Sequence, residues 1–296
     1  MCKPFRSDAL LLASTALAPL IWGSTYWVTT AFLPPDRPLH AALLRCLPAG
    51  VLLLCWARQW PARREWAAVL LLGVLNIGFF QAMLFVAAYR LPGGLAAILT
   101  STQTLMVLAL SWLMGRQAQP RAAWCWAAAG VAGMGLLVYA PQARWDVPGV
   151  VAALLGAASM ALGLVLSRRW QTGMSLLAFT GWQLLAGGVF LLPLALWLEL
   201  PLPALSWRHV GAYAYLCLAG AVLAYGLFFR GVRRLPPAVV SSLGLLSPVC
   251  AAVLGWVLLD QRLSPAALLG FVLVLLSIFG VQRALHAASA SKACLS

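Results

Sequence analysis

The sequence consists mainly of apolar runs of about 20 residues that follow one another from end to end. A helix needs about 20 residues to cross the roughly 30 Å hydrocarbon core of a bilayer. Only 9% of the 296 residues are charged, whereas a soluble domain carries roughly 25%. These features predict an all-α integral membrane protein. We place ten spans at approximately 9–31, 39–57, 66–88, 92–115, 122–140, 148–167, 175–198, 209–229, 236–259 and 265–285.

The first run follows Lys3 and Arg6, as the apolar part of a secretory signal does. The apolar part of a signal is about 7–15 residues long, whereas this run is longer and contains Trp22, Tyr26 and Trp27. We therefore expect it to be retained as a membrane span.

The net charge of +14 would suit a nucleic-acid-binding protein if the basic residues shared one folded surface. Here they stand singly or in pairs between apolar runs, so we expect membrane lipids and no nucleic acid as surroundings. Cytoplasmic loops are rich in Lys and Arg. With a cytoplasmic N-terminus, the cytoplasmic side receives Lys3, Arg6, Arg58, Arg63, Arg64, Arg116, Arg121, Arg168, Arg169, Arg230, Arg233, Arg234, Arg283 and Lys292, against Arg37, Arg90, Arg144, Arg208 and Arg262 opposite. This bias predicts that both termini are cytoplasmic.

Two segments of the sequence are similar at a shift of 144 residues. Residues 90–117 and 234–261 share Arg-Leu-Pro at their start. Further identities are Leu99/Leu243, Leu110/Leu254, Trp112/Trp256 and Gln117/Gln261. The shift places span 4 on span 9, which divides the chain into five-span halves, residues 1–145 and 146–296. Because five is odd, the second half enters the membrane from the opposite side, as in the inverted repeats of many transporters.

Short motifs add a family resemblance that covers nearly the whole chain. They are Ile21-Trp22-Gly23-Ser24-Thr25, Ala42-Leu43-Leu44-Arg45, and the endings of spans 4 and 9, Trp-Leu-Met-Gly-Arg-Gln and Trp-Val-Leu-Leu-Asp-Gln. In order and spacing the chain resembles the EamA-type branch of the drug/metabolite transporter superfamily. The resemblance implies ten helices in two EamA repeats, a bacterial inner-membrane location, and export of amino acids and related metabolites, with aromatic amino-acid exporters as the nearest relatives.

Aromatic and polar side chains in spans 1, 3 and 8 are candidates for a substrate cavity. Trp22, Tyr26, Thr29 and Thr30 share one face of span 1. Aromatic rings on that face could stack against a substrate, or they could pack against neighbouring helices. Span 3 offers Asn76 and Phe80 on one face and Gln81 on another, and Tyr225 of span 8 matches Gln81 at the shift of 144.

Hydroxyl groups recur at depth in spans 4 and 9. Span 4 carries the polar run 100–104, with Thr100 and Gln103, and span 9 carries Ser241 and Ser242. Small hydroxyl side chains also let helices approach closely, so packing is the alternative. Their recurrence in both halves favours a central site. Pro248 is expected to kink span 9, because a proline frees a carbonyl one turn earlier.

Arg45 is the one charge well inside a predicted span. It could bind the carboxylate of a substrate, or it could be tied to backbone carbonyls and hold span 2 in place. We favour the structural interpretation. All six acidic residues and all three histidines lie at span ends or in loops. We therefore expect no buried carboxylate or imidazole that could serve as a proton relay.

These observations together predict a transporter without cofactor or metal. No Ser–His pair, paired Asp residues or metal-ligand spacing stands at membrane depth, so we expect no enzyme activity. The predicted function is export of amino acids, aromatic and neutral ones included, and related small metabolites by alternating access. Export of other drugs or metabolites, lipid scrambling, or a structural membrane role remain alternatives. The substrate is the expected partner, and a monomer is the working expectation.

Overall fold

The computed structural model describes residues 5–35, 37–91, 97, 99–115, 119–137, 146–170, 172–201, 204–258 and 264–293. Every regular element within these ranges is helical, and none of these residues lies in a strand. A helix satisfies its own backbone hydrogen bonds, which is what an apolar solvent such as lipid requires.

The α-helices are α1 (Phe5–Phe32), α2 (Pro38–Ala57), α3 (Trp66–Gly73), α4 (Phe79–Arg90), α5 (Gln103–Gly115), α6 (Arg121–Leu137), α7 (Val147–Arg169), α8 (Leu176–Leu198), α9 (Trp207–Cys217), α10 (Ala224–Arg234), α11 (Pro237–Leu243), α12 (Leu246–Leu258) and α13 (Pro265–Ala293). Two π-helical segments, Val74–Gly78 and Leu218–Leu223, join α3 to α4 and α9 to α10.

Eight helical stretches in the described ranges are long and apolar enough to cross a membrane. They correspond to α1, α2, α3–α4, α7, α8, α9–α10, α11–α12 and α13. The two other predicted spans, 92–115 and 122–140, overlap with α5 and α6. These helices have 13 and 17 described residues, and both border residues outside the described part of the chain.

Small residues allow the closest helix contacts. Helix α6 packs along α13, and α2 packs along α8. An added Cβ at Gly270 of α13 would overlap the backbone of Leu137 in α6. An added Cβ at Gly50 of α2 would meet the backbone of Leu185 in α8. Close approach at small residues is how helices associate in lipid, where apolar burial gives no net gain.

The irregular segments of the helices lie at repeat-related positions. Adding 144 to residues 74–78 gives residues 218–222, which lie within the second π-helical segment. A smaller irregularity interrupts the helix at Thr102, and span 9 is interrupted at Gly244–Leu245, one turn before Pro248. The second interruption lies within two residues of the first after the same shift.

Side-chain hydrogen bonds close the end of the bundle at which α7 and α10 finish, which we call the basic end. Arg233 of α10 donates to the carbonyl oxygens of Thr172 and Met174, at 3.1 and 3.0 Å. Arg168 of α7 donates to the carbonyl oxygen of Arg233. Behind these bonds, residues 238–243 of α11 are all buried. The bundle is therefore tightly packed at this end.

Candidate functional site

Three helices bring a tryptophan, an arginine and a tyrosine together around one backbone carbonyl group. Trp22 Nε1 of α1 donates to the carbonyl oxygen of Gly220 at 2.9 Å, and Arg45 Nη2 of α2 donates to the same oxygen at 2.8 Å. The ring of Tyr225 in α10 lies 4.9 Å from the ring of Trp22, centroid to centroid, and 5.7 Å from Arg45 Cζ. We call Trp22, Arg45, Gly220 and Tyr225 the aromatic–arginine cluster.

The local backbone explains why this carbonyl group accepts side-chain donors. Gly220 lies in the π-helical segment between α9 and α10, where the wider turn disturbs the regular ladder of backbone hydrogen bonds. Two donors can share its two lone pairs. In the first half, the carbonyl oxygen of Leu75 lies in the other π-helical segment and accepts a hydrogen bond from Ser159 Oγ at 2.8 Å.

Behind the cluster lies a buried wall. Gln81 Nε2 donates to the Tyr225 hydroxyl at 3.2 Å, and these two residues are 3% and 2% exposed. The Phe228 ring lies 5.1 Å from the Trp22 ring. Trp22 and Arg45 are only partly buried, so they form the accessible side of the cluster. Gln81 and Tyr225 are repeat-related positions, and they meet each other directly.

The charge of Arg45 is unusual for a side chain inside a helix of this kind. In the described part of the chain the ion pairs are His40–Glu199 and Arg90–Asp146, so no described carboxylate neutralises Arg45. Its bond to Gly220 ties α2 to the π-helical segment, which agrees with a structural role. Its Nε is buried without a hydrogen-bond partner, so the guanidinium group can donate at least one further hydrogen bond.

Asn76 occupies a different, sealed position. Its Nδ2 donates to Gln183 Oε1 at 2.7 Å and to Ser167 Oγ at 3.0 Å. Asn76 and Gln183 are 0% exposed. The Asn76 carboxamide also rests on Gly163, where an added Cβ would overlap it. In this structure Asn76 therefore joins α7 and α8 to the first π-helical segment and does not face open space.

Spans 4 and 9 are joined by one pair of hydroxyl groups, whereas the other hydroxyl candidates form bonds within their own helices. Ser241 Oγ donates to Thr104 Oγ1 at 3.1 Å, which joins α11 to α5. Thr100 Oγ1 and Ser242 Oγ each donate to a carbonyl of their own helix turn, those of Ala97 and Val239. Both serines are buried.

The remaining candidates stand apart from these contacts. Gln103 and Phe80 are partly buried, at the starts of α5 and α4. The side chain of Tyr26 lies outside the described residues. Pro248 lies in the first turn of α12, after the interruption of span 9.

The expectation that no carboxylate or imidazole is buried is wrong for one pair. His40 and Glu199 lie at helix ends, as the sequence indicates, but they are only 4% and 7% exposed. Glu199 accepts hydrogen bonds from the backbone N–H groups of Leu39 and His40 at 2.7 and 2.9 Å, and His40 Nδ1 lies 2.8 Å from it. The first N–H groups of α2 lack acceptors within their own helix. The carboxylate of Glu199, which directly follows α8, accepts hydrogen bonds from two of them.

A groove of about 320 Å³ lies between α1 and α9. It is lined by Val28, Phe32, Arg208, Gly211, Ala212 and Tyr215. Ser24 Oγ lies 2.6 Å from the Tyr215 hydroxyl, one turn along α1 from Val28. Within the described residues, no three His, Cys, Asp or Glu side chains are grouped in a way that could hold a metal ion.

Comparison with known proteins identifies the family. The EamA-like transporter family matches residues 9–139 and again residues 147–283. Protein PecM of Dickeya dadantii is 45% identical over 268 residues, which cover 90% of each chain. The uncharacterized inner membrane transporter YedA of Escherichia coli K12 is 30% identical over 88% of this chain and 86% of its own. A crystal structure with 18% sequence identity covers 96% of this chain and 99% of its own at a TM-score of 0.79, so the fold is shared. The chain belongs to the EamA-like transporter family and is a multi-pass membrane transporter.

Proposed function

We propose that this transporter exports small organic metabolites, amino acids among them, across the bacterial cytoplasmic membrane. The observation that carries the proposal is the aromatic–arginine cluster, which places a cation and two aromatic rings inside the helical bundle. Aromatic faces stack against apolar or aromatic groups and attract ammonium groups, whereas arginine attracts carboxylates. An amino acid carries all of these chemical groups.

The proposed architecture is ten spans in two inverted halves, 1–145 and 146–296. The two family matches, at 9–139 and 147–283, support this division. Contacts between repeat mates support it too. Helix α2 packs along α8, α6 packs along α13, Gln81 bonds Tyr225, and Thr104 bonds Ser241. A helix near a two-fold axis meets its own mate, which is the pattern that inverted halves produce.

Alternating access would follow from opening and closing the two ends of the bundle. In the present arrangement, Arg233 and its carbonyl partners bind the basic end shut. At the opposite end, a groove lies between α1 and α9, and Tyr215, which lines it, contacts Ser24. The proposed second state would break the Arg233 bonds and close this groove around a central site. The excess of basic residues supports a cytoplasmic location for the closed end, and the relative YedA, an inner membrane transporter, supports the cytoplasmic membrane as the location of the protein.

Transport in proteoliposomes tests the proposed function. Purified protein is reconstituted, and counterflow of a panel of labelled amino acids is compared with that of protein-free vesicles. We expect flux for at least one amino acid, and a loss in Trp22→Ala, because Trp22 belongs to the aromatic–arginine cluster. The matched control is Trp197→Ala, because Trp197 is 84% exposed at the end of α8. If no amino acid crosses while labelled lipid probes do, the protein is a scramblase and the proposal is wrong.

Crosslinking tests the mechanism separately. In a cysteine-free background, cysteine pairs replace Arg233 and Thr172 at the basic end, or Ser24 and Tyr215 at the other. A bifunctional thiol reagent that locks either pair should stop counterflow, and the single-cysteine variants should retain it after the same treatment. Unchanged flux with both pairs locked would rule out alternating access at these contacts.

A further inference from the structure

Arg45 carries more hydrogen-bonding capacity than its surroundings use. It lies about 10 Å along α2 from Pro38, since seven residues rise about 1.5 Å each. A guanidinium group has five N–H donors and no acceptor. The described residues supply one hydrogen bond, from Nη2 to Gly220, and one aromatic face, that of Tyr225. Its Nε is buried and has no partner.

A charge at membrane depth is normally paired or faces a water-filled cavity. The described ion pairs lie elsewhere, at His40–Glu199 and Arg90–Asp146. Arg45 is partly buried, which means that part of the side chain reaches accessible space. A partly accessible guanidinium group without a carboxylate is the complement of an oxyanion, which it can bind through two parallel N–H groups.

The groove between α1 and α9 lies further along α1 on the same side of the bundle as this position, beyond the Ser24–Tyr215 contact. The two helices run antiparallel, as three successive contacts show. Val28 and Ala212 line the groove, Ser24 meets Tyr215 one turn further, and Trp22 then meets Gly220. Arg208 lines the groove and gives it a positive charge. Charges of one sign along a groove raise the local concentration of oppositely charged solutes.

We propose that Arg45 binds an anionic group of the transported metabolite, a carboxylate or a comparable oxyanion. The inference rests on the proposed transport function and defines the chemical class of its substrate. The anion takes up the unused N–H groups of Arg45 and competes with the Gly220 carbonyl oxygen for the guanidinium group. Trp22 and Tyr225 flank the bound group with their rings. Because Gly220 belongs to the π-helical segment, occupancy of Arg45 weakens the tie between α2 and that segment.

Binding is tested first, without transport. Thermal unfolding of the protein in detergent is followed with phenylacetate and L-phenylalanine, and with the uncharged or cationic analogues phenylacetamide and L-phenylalaninamide, at equal ionic strength. Ligand binding to the folded state raises the unfolding temperature. We expect affinities for the two carboxylates that exceed those for the two amides by about tenfold to hundredfold, the range for hydrogen bonds to a charged group. Equal stabilisation by acids and amides, or none by any of them, would overturn the proposal.

Variants separate the role of Arg45 from general charge effects. Arg45→Gln keeps an N–H donor for the Gly220 carbonyl oxygen but removes the charge, so the preference for carboxylates should disappear. Arg45→Lys keeps the charge without the planar fork and should retain part of the preference. Arg63→Gln removes an exposed charge and should change nothing. A carboxylate preference that survives in Arg45→Gln would refute the assignment, and the wild-type comparison remains decisive if that variant does not fold.

The failures of the two proposals can be told apart. Carboxylate binding without counterflow of any probe would leave the anion site intact and refute the transport function. Counterflow of L-phenylalanine and L-phenylalaninamide at equal rates would leave the transport function intact and refute the anion site.

Discussion

Replacement of Glu199 by alanine should destabilise the protein far more than its position in a short loop suggests. Glu199 follows the last residue of α8, yet it is 7% exposed and forms three polar contacts. Two of them come from the backbone N–H groups of Leu39 and His40, and the third involves the His40 ring. The carboxylate also faces the positive end of the α2 dipole.

The loss of stability can be estimated from the polar groups that the substitution leaves without a partner. Removing one member of a buried pair costs about 3–5 kcal/mol. Counting the two orphaned backbone donors at about 1–3 kcal/mol each gives a similar total. We therefore expect Glu199→Ala to lower the free energy of unfolding by about 3–5 kcal/mol, measured by titration with a denaturing detergent. Glu199→Gln should lose less, because its amide retains one acceptor oxygen.

Glu65 provides a matched control. It too accepts hydrogen bonds from two backbone N–H groups, those of Gly173 and Ala62, at 2.9 and 3.0 Å, but it does so at the protein surface. Water can replace the lost carboxylate there, so Glu65→Ala should cost no more than about 1 kcal/mol. If Glu199→Ala and Glu65→Ala lose the same amount, the argument from burial is refuted.

Three further predictions concern the helix contacts and the basic end. Gly163→Ala should lower the free energy of unfolding by about 1–3 kcal/mol, because the new methyl group overlaps the Asn76 carboxamide. Gly226→Ala is the control and should leave the free energy of unfolding unchanged, because its new methyl group has no neighbour within 4 Å. Gly270→Val should prevent recovery of folded, monodisperse protein, because the neighbouring atoms are backbone and cannot move aside; a normal yield would contradict this. Backbone hydrogen bonds lower the pKa of Glu65, so its stabilising effect should be complete above the ordinary carboxyl pKa and disappear as the pH falls through the lowered pKa. The advantage of wild type over Glu65→Gln in thermal unfolding should therefore shrink on acidification, and a pH-independent difference would show that the charge is irrelevant.

The helical architecture was largely readable from the sequence, because hydropathy depends on composition over a long window. The predicted span 175–198 coincides with α8, Leu176–Leu198, within one residue. The predicted helix bounds are less accurate where the helix departs from regular α-helical geometry. The predicted span 8 covers 209–229, whereas the continuous helical stretch runs from Trp207 to Arg234 and contains a π-helical segment. No residue pattern in the sequence signalled that segment.

Part of the candidate site could likewise be predicted from the sequence, and part could not. Trp22, Arg45, Gln81 and Tyr225 are recognisable in the sequence as polar or aromatic side chains at depth, and the structure brings them together. Gly220 could not be found in this way, because it contributes only a carbonyl oxygen. The sealed position of Asn76 was equally hidden, since Gln183 and Ser167, which surround it, come from other helices. The burial of the pair His40–Glu199 could not be predicted from the sequence, because a residue at a span end can be either exposed or covered by neighbouring helices.

The two π-helical segments show why the halves can share a backbone and still differ in chemistry. The segments stand at equivalent positions, and each offers a carbonyl group to side chains of neighbouring helices. In the first half the donor is the neutral, buried Ser159. In the second half the donors are Trp22 and the cationic Arg45, both partly accessible. An irregular turn related by the repeat therefore provides a similar structural element twice, and the donors opposite it decide which copy presents a charge. This asymmetry supports the proposed anion site at Arg45, beside Gly220, and agrees with a packing role for the equivalent position in the first half.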